Sequence, residues 1–147
     1  MPRTSITLLC GDTIRAKFYA YAIGQIHGVD CTAVLYGFSK KNSSIGVPCA
    51  TQETEDYLSS IGTPVIDINQ RIDTCLEVNK IHLLEVDERN VNHDDIVNAI
   101  LRLDAQYVIF AGYGGQILGD VHFETGKQYI HCHPGWLPLE RGSTTIY

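Results

Sequence analysis

The amino-acid sequence predicts an α/β fold in which helices flank a doubly wound, mostly parallel β-sheet. Short apolar runs of the length of buried strands alternate with longer segments whose apolar residues have helical spacing, and this alternation is typical of parallel sheets. Two of the apolar runs end in glycine, at Gly11 and Gly112, as strands do before a turn. Since no repeat, low-complexity tract or linker interrupts the 147 residues, we expect a single domain, residues 1–147.

The first third of the chain has the pattern of a β-α-β unit. Residues 5–10, SITLLC, form a compact apolar run that predicts a buried strand, and residues 31–37, CTAVLYG, predict a second one. Residues 14–27 lie between them and are predicted to form a helix, with Asp12 or Thr13 as its N-cap. The expected apolar face of that helix consists of Ile14, Phe18, Tyr21, Ala22 and Ile26.

The rest of the chain continues the alternation of strands and helices. The sequence predicts a loop over 38–48, a helix over 51–62, a short strand over 63–68, a helix over 92–104, and strands over 105–115 and 127–133. The helix over 92–104 has the clearest periodicity, because Ile96, Ala99, Ile100 and Leu103 fall on one face. Residues 69–87 fit either one helix or a helix followed by a strand.

Composition narrows the class of protein. A content of 44 % hydrophobic and 19 % charged residues is ordinary for a soluble domain, and the net charge of -6 disfavours general binding to nucleic acid or anionic membranes. The five cysteines include no C-x-x-C pair, so we expect reduced thiols rather than a disulfide framework or a zinc knuckle. The apolar run after Met1 is too short for a signal peptide or a membrane span, which predicts a cytoplasmic protein.

The stretch YIHCHPGWLPLERG, residues 129–142, is the strongest candidate for a functional site. Alternate residues of a strand point to the same face, so His131 and His133 are expected to lie side by side on the last strand. Pro134 then ends the strand ladder and restricts the backbone at His133. Two oriented imidazoles at the carboxyl end of a strand suit general base catalysis. The same spacing fits histidines that only bond nearby backbone, or a metal site built on His-x-His.

Two segments of the chain resemble the family of formyltransferases that use 10-formyltetrahydrofolate. The family signature, Asn-x-His-Pro-Ser-x-Leu-Pro-x-Tyr-Arg-Gly, is similar to residues 131–142, where His-Pro, Leu-Pro and Arg-Gly match at the correct spacing. Upstream, AGYGGQIL at 111–118 resembles the family segment Ala-Gly-Tyr-Gly-x-Ile-Leu, with one extra glycine. Members include methionyl-tRNA formyltransferase, glycinamide ribonucleotide formyltransferase and the sugar N-formyltransferases. The resemblance is close over 104–147 and loose elsewhere, and it implies a Rossmann-like sheet.

The resemblance also implies roles for individual residues. His133 aligns with the catalytic histidine, which takes a proton as an amine attacks the formyl carbon. Backbone groups of Gln116, Ile117 and Leu118, beside Gly114, would hold the pteridine of the donor, because glycine lets backbone approach a flat ring closely. The glycine cluster also fits an ordinary β-α turn. It lacks the third glycine of a dinucleotide-binding fingerprint.

The chain departs from the family pattern at several positions. His131 stands where the family has the asparagine that donates to the formyl oxygen, and the single N–H of a neutral imidazole can take that role. Gly135 and Glu140 replace the family's serine and tyrosine. The family's orienting aspartate has no counterpart before Tyr147, so we expect the domain to be incomplete at its C-terminus. These departures also fit a non-catalytic module that binds the folate or a nucleotide sugar.

Several other residues are candidates for contacts with substrate. Arg15 and Lys17, near the start of the first helix, can hold a substrate phosphate or be solvated helix charges. Arg141 can contact an anionic substrate or a loop carbonyl, and Trp136 can line the folate or acceptor pocket or anchor its own loop. We expect Cys132 to lie in the core. The remaining histidines are expected at the surface or in loops: His27, His82, His93 and His122.

Together these observations lead us to expect formyl transfer from 10-formyltetrahydrofolate to the primary amine of a small acceptor. A nucleotide-linked amino sugar is the first choice of acceptor. A net charge of -6 with no basic stripe fits transfer RNA poorly, although methionyl-tRNA formyltransferases belong to the same family. The segment CGDTIRAKF at 10–18 lacks the Gly/Ser-rich phosphate loop expected for glycinamide ribonucleotide.

Overall fold

Five parallel strands form the centre of the computed structural model, which describes residues 3–38, 51–62, 67 and 69–132. In chain order the strands are β1 (Thr4–Cys10), β2 (Val29–Tyr36), β3 (His82–Val86), β4 (Tyr107–Ala111) and β5 (Gln128–Ile130). Their order in the sheet is β3-β2-β1-β4-β5, and every neighbouring pair is parallel. The predicted α/β, Rossmann-like architecture is therefore confirmed.

Five helices accompany these strands in the described residues: α1 (Ile14–Gly24), α2 (Gln52–Ser60), α3 (Ile72–Val78), α4 (Asp94–Leu101) and α5 (Asp120–Phe123). Thr13 is the N-cap of α1, since its hydroxyl accepts a hydrogen bond from the Ala16 amide at 3.1 Å. The ambiguous stretch 69–87 contains a helix, α3, followed by a strand, β3. Helix α5 was not predicted from the sequence. The strand predicted over 63–68 falls almost entirely outside the described residues.

The two faces of the sheet bury separate apolar clusters. Successive residues of β1 alternate between them: Leu8 and Cys10 join the cluster beneath α1 and α3, and Leu9 joins the cluster beneath α4. Strands β1 and β2 are buried on both faces, which is why their sequences are almost continuously apolar.

Helix α1 buries a different face from the one its apolar residues predicted. The buried residues are Ala16, Lys17, Ala20 and Ile23, whereas Phe18 and Ile26 are 41 % and 54 % exposed. Apolar residues occur on every side of this helix, so their spacing alone does not select a face. The small side chains of Ala16 and Ala20 let the helix lie close to the sheet. The interpretation of Lys17 as a solvated charge is wrong.

Helix α4 follows its prediction closely. Its buried residues Ile96, Ala99 and Ile100 are three of the four that the periodicity predicted, and Leu103 packs against the same cluster. At the far side of the sheet, β5 is shorter than the predicted strand and ends at Ile130. Over the described part of the chain, no helix has both the length and the apolar character needed to cross a membrane.

Candidate functional site

The two segments that resemble the formyltransferases follow neighbouring strands. Strand β4 runs into the glycine-containing turn at 112–119, and β5, its parallel neighbour, runs into His131. Because all strands are parallel, both segments leave the sheet at its carboxyl edge, where ligands of such folds bind. Strand order also reverses at this edge, between β1 and β4, so a crevice is expected beside the same turn.

Tyr113, the second residue after β4, fills part of this crevice. Its hydroxyl accepts a hydrogen bond from the Asp12 amide at 3.1 Å and lies 3.1 Å from the Gly37 carbonyl, to which it donates. Its ring lies so close over Gly11 that a Cβ there would be 2.5 Å from the ring edge. Burial raises the pKa of the Tyr113 phenol, so it stays neutral and can donate. A tyrosine side chain therefore ties the ends of β1, β2 and β4 together.

Gln116, predicted to contact the pteridine through its backbone, uses its side chain to fix the turn. Its Oε1 accepts a hydrogen bond from the Tyr36 hydroxyl at 2.6 Å, and its Nε2 donates to the Arg89 carbonyl at 2.8 Å. Tyr36 is fully buried at the end of β2, and burial raises the pKa of its phenol. The turn is thereby connected to the ends of β2 and β3, a link that its sequence did not reveal.

The next residues of the turn present an apolar side chain and peptide groups to solvent. Gly114 is exposed at the start of the turn, and Gly115 has a φ of 79°, a conformation that favours glycine. The Ile117 side chain is 80 % exposed. Among the described residues, neither the N–H nor the C=O of Leu118 makes a hydrogen bond. This donor and acceptor suit a flat ring that carries both an amino and an oxo group.

His131 lies just beyond β5, not within a strand. Its Nδ1 is 3.2 Å from the Phe110 carbonyl, and the two rings are 5.8 Å apart. A carbonyl only accepts, so Nδ1 carries the hydrogen and Nε2 of the neutral ring has none. His131 can therefore donate from Nε2 only when its ring is protonated. The prediction that the last strand includes His131 is wrong, since β5 ends at Ile130, and the expected pairing with His133 lies outside the described residues.

Three predicted site residues, His133, Trp136 and Arg141, lie outside the described residues.

Arg15 is half-buried in the first turn of α1, one turn before Tyr19. Burial and a hydrogen bond with Cys132 raise the pKa of Tyr19 to about 12, and the charge of Arg15 opposes this increase. Cys132 is exposed beside that phenol, so its expected place in the core is wrong. The first helix therefore borders the segment that follows β5.

An ion pair that the sequence did not predict lies at the carboxyl end of β1. Lys17 is 1 % exposed, and its ammonium is 3.8 Å from Oδ1 of Asp12, an oxygen that makes no hydrogen bond with the residues that the structure describes. Burial raises the pKa of Asp12, although the Lys17 charge acts in the opposite direction. No spacing or motif in the sequence indicated that these two residues pair.

His122 is fully buried, contrary to its predicted place at the surface. Its Nε2 is 2.9 Å from the Val91 carbonyl and its Nδ1 is 3.1 Å from the Tyr129 hydroxyl. The neutral ring donates to Val91 and accepts from Tyr129, and burial lowers its pKa. Its position in the short helix α5 gave no periodicity from which burial could be predicted. The other three predicted surface histidines are exposed: His27, His82 and His93.

A separate open groove lies between α3 and the beginning of β3, lined by residues including Asp73, Glu77, Lys80 and His82. None of the predicted site residues that the structure describes lines it. Within the described ranges, no three His, Cys, Asp or Glu side chains lie close enough together to bind a metal ion.

Comparisons with protein-family models, with curated proteins and with solved structures gave no match.

Proposed function

We propose that this chain transfers the formyl group of 10-formyltetrahydrofolate to the primary amine of a small acceptor, in the first instance a nucleotide-linked amino sugar. The proposal rests on one combination of observations. The two segments that resemble the formyltransferase motifs follow β4 and β5, which are adjacent and parallel. His131, the first residue of the segment that contains His-Pro, donates a hydrogen bond from Nδ1 to the Phe110 carbonyl of β4 at 3.2 Å.

In the proposed reaction the amine nitrogen attacks the formyl carbon, and the formyl oxygen carries the negative charge of the tetrahedral intermediate. His133, by its resemblance to the family histidine, accepts the proton that the amine loses. The bond between the formyl carbon and N10 then breaks, N10 takes a proton, and the products are the formamide and tetrahydrofolate. Donors aimed at the formyl oxygen stabilise the intermediate.

The turn at 112–119 is compatible with the donor. An exposed isoleucine, Ile117, provides apolar contact area for a flat ring. The N–H and C=O of Leu118, which make no hydrogen bond within the described part of the chain, provide one donor and one acceptor. The side chains of Tyr36 and Gln116 hold the turn from behind, so the backbone does not have to become ordered when the ligand binds.

A non-catalytic module that binds folate or nucleotide sugar is the second candidate. The hydrogen bond of His131 favours it, because the only N–H of the neutral ring points to the Phe110 carbonyl and not to a formyl oxygen. If His131 nonetheless stabilises the oxyanion as an imidazolium, His131→Asn, which carries two N–H donors without protonation, retains activity.

Formation of tetrahydrofolate from 10-formyltetrahydrofolate, followed by absorbance with and without a panel of nucleotide-linked amino sugars, tests the proposal. We expect one of the amines to accelerate the reaction, and His133→Ala to lower its kcat by at least about 100-fold while folate binding persists. His27→Ala, which changes an exposed imidazole far along the chain, is the matched control. Equal rates for the wild type and His133→Ala, with folate still bound, would leave only the binding module.

A further inference from the structure

The loop between β3 and α4 contacts the turn at 112–119 through the Arg89 carbonyl, which accepts from Gln116, and through the side chain of Asn92. The amide group of Asn92 makes two hydrogen bonds to the turn: Nδ2 donates to the Ile117 carbonyl at 3.0 Å, and Oδ1 accepts from the Gly119 amide at 2.7 Å. Both arms of one side-chain amide are therefore used on the peptide groups that flank Leu118. This side chain fixes the orientation of the peptide segment that we propose as the donor site.

Asn92 is itself held firmly on both sides. The backbone N–H of Asn92 donates a hydrogen bond to Oδ1 of Asn90 at 3.1 Å. The preceding residue, Val91, is 1 % exposed in the core, and its carbonyl is 2.9 Å from Nε2 of the buried His122. The next residue, His93, is the N-cap of α4. A side chain whose backbone is anchored in this way loses little entropy when it orders the turn.

The two hydrogen bonds of the Asn92 side chain, which together form a clamp on the turn, fix the backbone near Ile117 but leave its side chain in solvent. Its carbonyl is bound to Asn92, yet its side chain is 80 % exposed. The backbone on both sides of Ile117 is fixed by the side chains of Tyr36 and Asn92, from two other segments, and by that of Gln116 within the turn. Since the backbone of the turn is already fixed, a ligand that contacts the exposed side chain of Ile117 does not have to order the turn when it binds.

We propose that Asn92 is a positioning residue for the formyl donor: its amide holds Ile117 and Leu118 so that the side chain of one and the peptide groups of the other meet the donor's ring system. This inference rests on the proposed function, and it adds the β3–α4 loop to the donor site. Asn92 does not touch the reacting atoms, and it acts through the turn.

The experiment combines calorimetric binding of 5-formyltetrahydrofolate, a stable isomer of the donor, with hydrogen exchange of the backbone amides in the ligand-free protein. Asn92→Ala removes both arms of the clamp. We expect it to speed exchange of the Gly119 amide and to weaken binding about tenfold. Asn98→Ala, which changes an exposed asparagine on α4, is the matched control and should match the wild type in both measurements.

Asn92→Asp separates the two arms, because a carboxylate still accepts from the Gly119 amide but has no N–H for the Ile117 carbonyl. We expect Gly119 to stay protected in this variant while binding is weakened, a result that loss of fold would not produce. Binding by Asn92→Ala and Asn92→Asp at wild-type strength would overturn the positioning role and leave the proposed function intact. A wild-type protein that does not bind 5-formyltetrahydrofolate, with Gly119 protected as expected, would overturn both.

Discussion

Two buried side chains, one on each face of the sheet, are stabilised in opposite ways. On the face covered by α1 and α3, Lys17 is buried beside a carboxylate, with its ammonium 3.8 Å from Asp12. On the face covered by α4, His122 is buried as a neutral ring between the Val91 carbonyl and the Tyr129 hydroxyl. The first site offsets the cost of burial with an opposite charge, and the second avoids a charge altogether.

The two sites are expected to respond to acid with opposite signs. Burial lowers the pKa of His122 below its usual 6.5, so the unfolded chain binds the proton first and the free energy of unfolding falls as pH drops below about 6.5. Burial raises the pKa of Asp12 above its usual 3.8, so the folded chain binds the proton first and the free energy of unfolding rises as pH drops toward 3.8. Acid is therefore expected to destabilise the face that contains His122 and to stabilise the face that contains Asp12.

The largest effect is expected for Lys17→Met, which keeps the length of the side chain and removes its charge. Asp12, 13 % exposed, then lacks its counter-charge, and we expect the free energy of unfolding to fall by about 3 kcal/mol at pH 7. Urea denaturation of the wild type and the variant measures this change in the free energy of unfolding. The loss should shrink as pH is lowered, because protonation of Asp12 removes the uncompensated charge.

The double variant Lys17→Met/Asp12→Asn is the control for this first prediction. It replaces both charges with neutral groups, and its stability should lie within about 1 kcal/mol of the wild type. A double variant as unstable as Lys17→Met would show that packing of the Lys17 stem, and not the ion pair, stabilises this face.

A smaller effect is expected for His122→Phe. The ring still fills its site, but the Val91 carbonyl and the Tyr129 hydroxyl lose their partner, which costs about 2 kcal/mol at pH 7.5. The wild type should lose up to about 1.4 kcal/mol per pH unit below pH 6.5 through this histidine, and the variant should lack that contribution. Urea denaturation at pH 7.5 and 5.5 gives both values, with the exposed His27→Phe as control. Equal acid sensitivity in wild type and variant would contradict a neutral, buried His122.

The smallest effect is expected for Tyr129→Phe, which removes the donor to Nδ1 of His122 and should cost about 1 kcal/mol at pH 7.5. Nδ1 is then able to bind a proton without displacing a hydroxyl hydrogen. The pKa of His122 should therefore rise toward its usual value, and the acid-dependent loss of stability should become smaller than in the wild type. Nuclear magnetic resonance titration of the ring protons measures that change. An unchanged titration midpoint would show that burial alone, without the tyrosine, sets the pKa of His122.

The sequence predicted the parallel α/β sheet because that prediction depends on short-range patterns. The apolar runs of β1 and β2 and the spacing of Ile96, Ala99 and Ile100 in α4 are visible in neighbouring residues. The face of α1 was predicted wrongly, because apolar residues surround that helix and only contact with α3 and the sheet selects a face. His122 was misassigned for a related reason, since four helical residues are too few to show a period.

The candidate site, like the fold, was predicted from the sequence only in part. Parallel strands carry their following turns to one edge, so the sequence alone indicated that the glycine turn and the segment beginning at His131 lie at the same edge of the sheet, and the structure showed that their strands are adjacent. It did not indicate that His131 donates to the Phe110 carbonyl or that Asn92 holds the turn, since these partners are 21 and 25 residues apart along the chain.

By itself, then, the sequence determined the class of fold and the edge of the sheet at which to look for a site, because strand and helix periods are local and parallel pairing follows from their alternation. Only the tertiary structure decided which polar groups are buried and which hydrogen-bond donors are already used. Those outcomes depend on contacts between residues far apart in the chain, and no spacing along the sequence encodes them. Lys17 is buried by its neighbours in space, and the one N–H of neutral His131 is directed by the Phe110 carbonyl of β4.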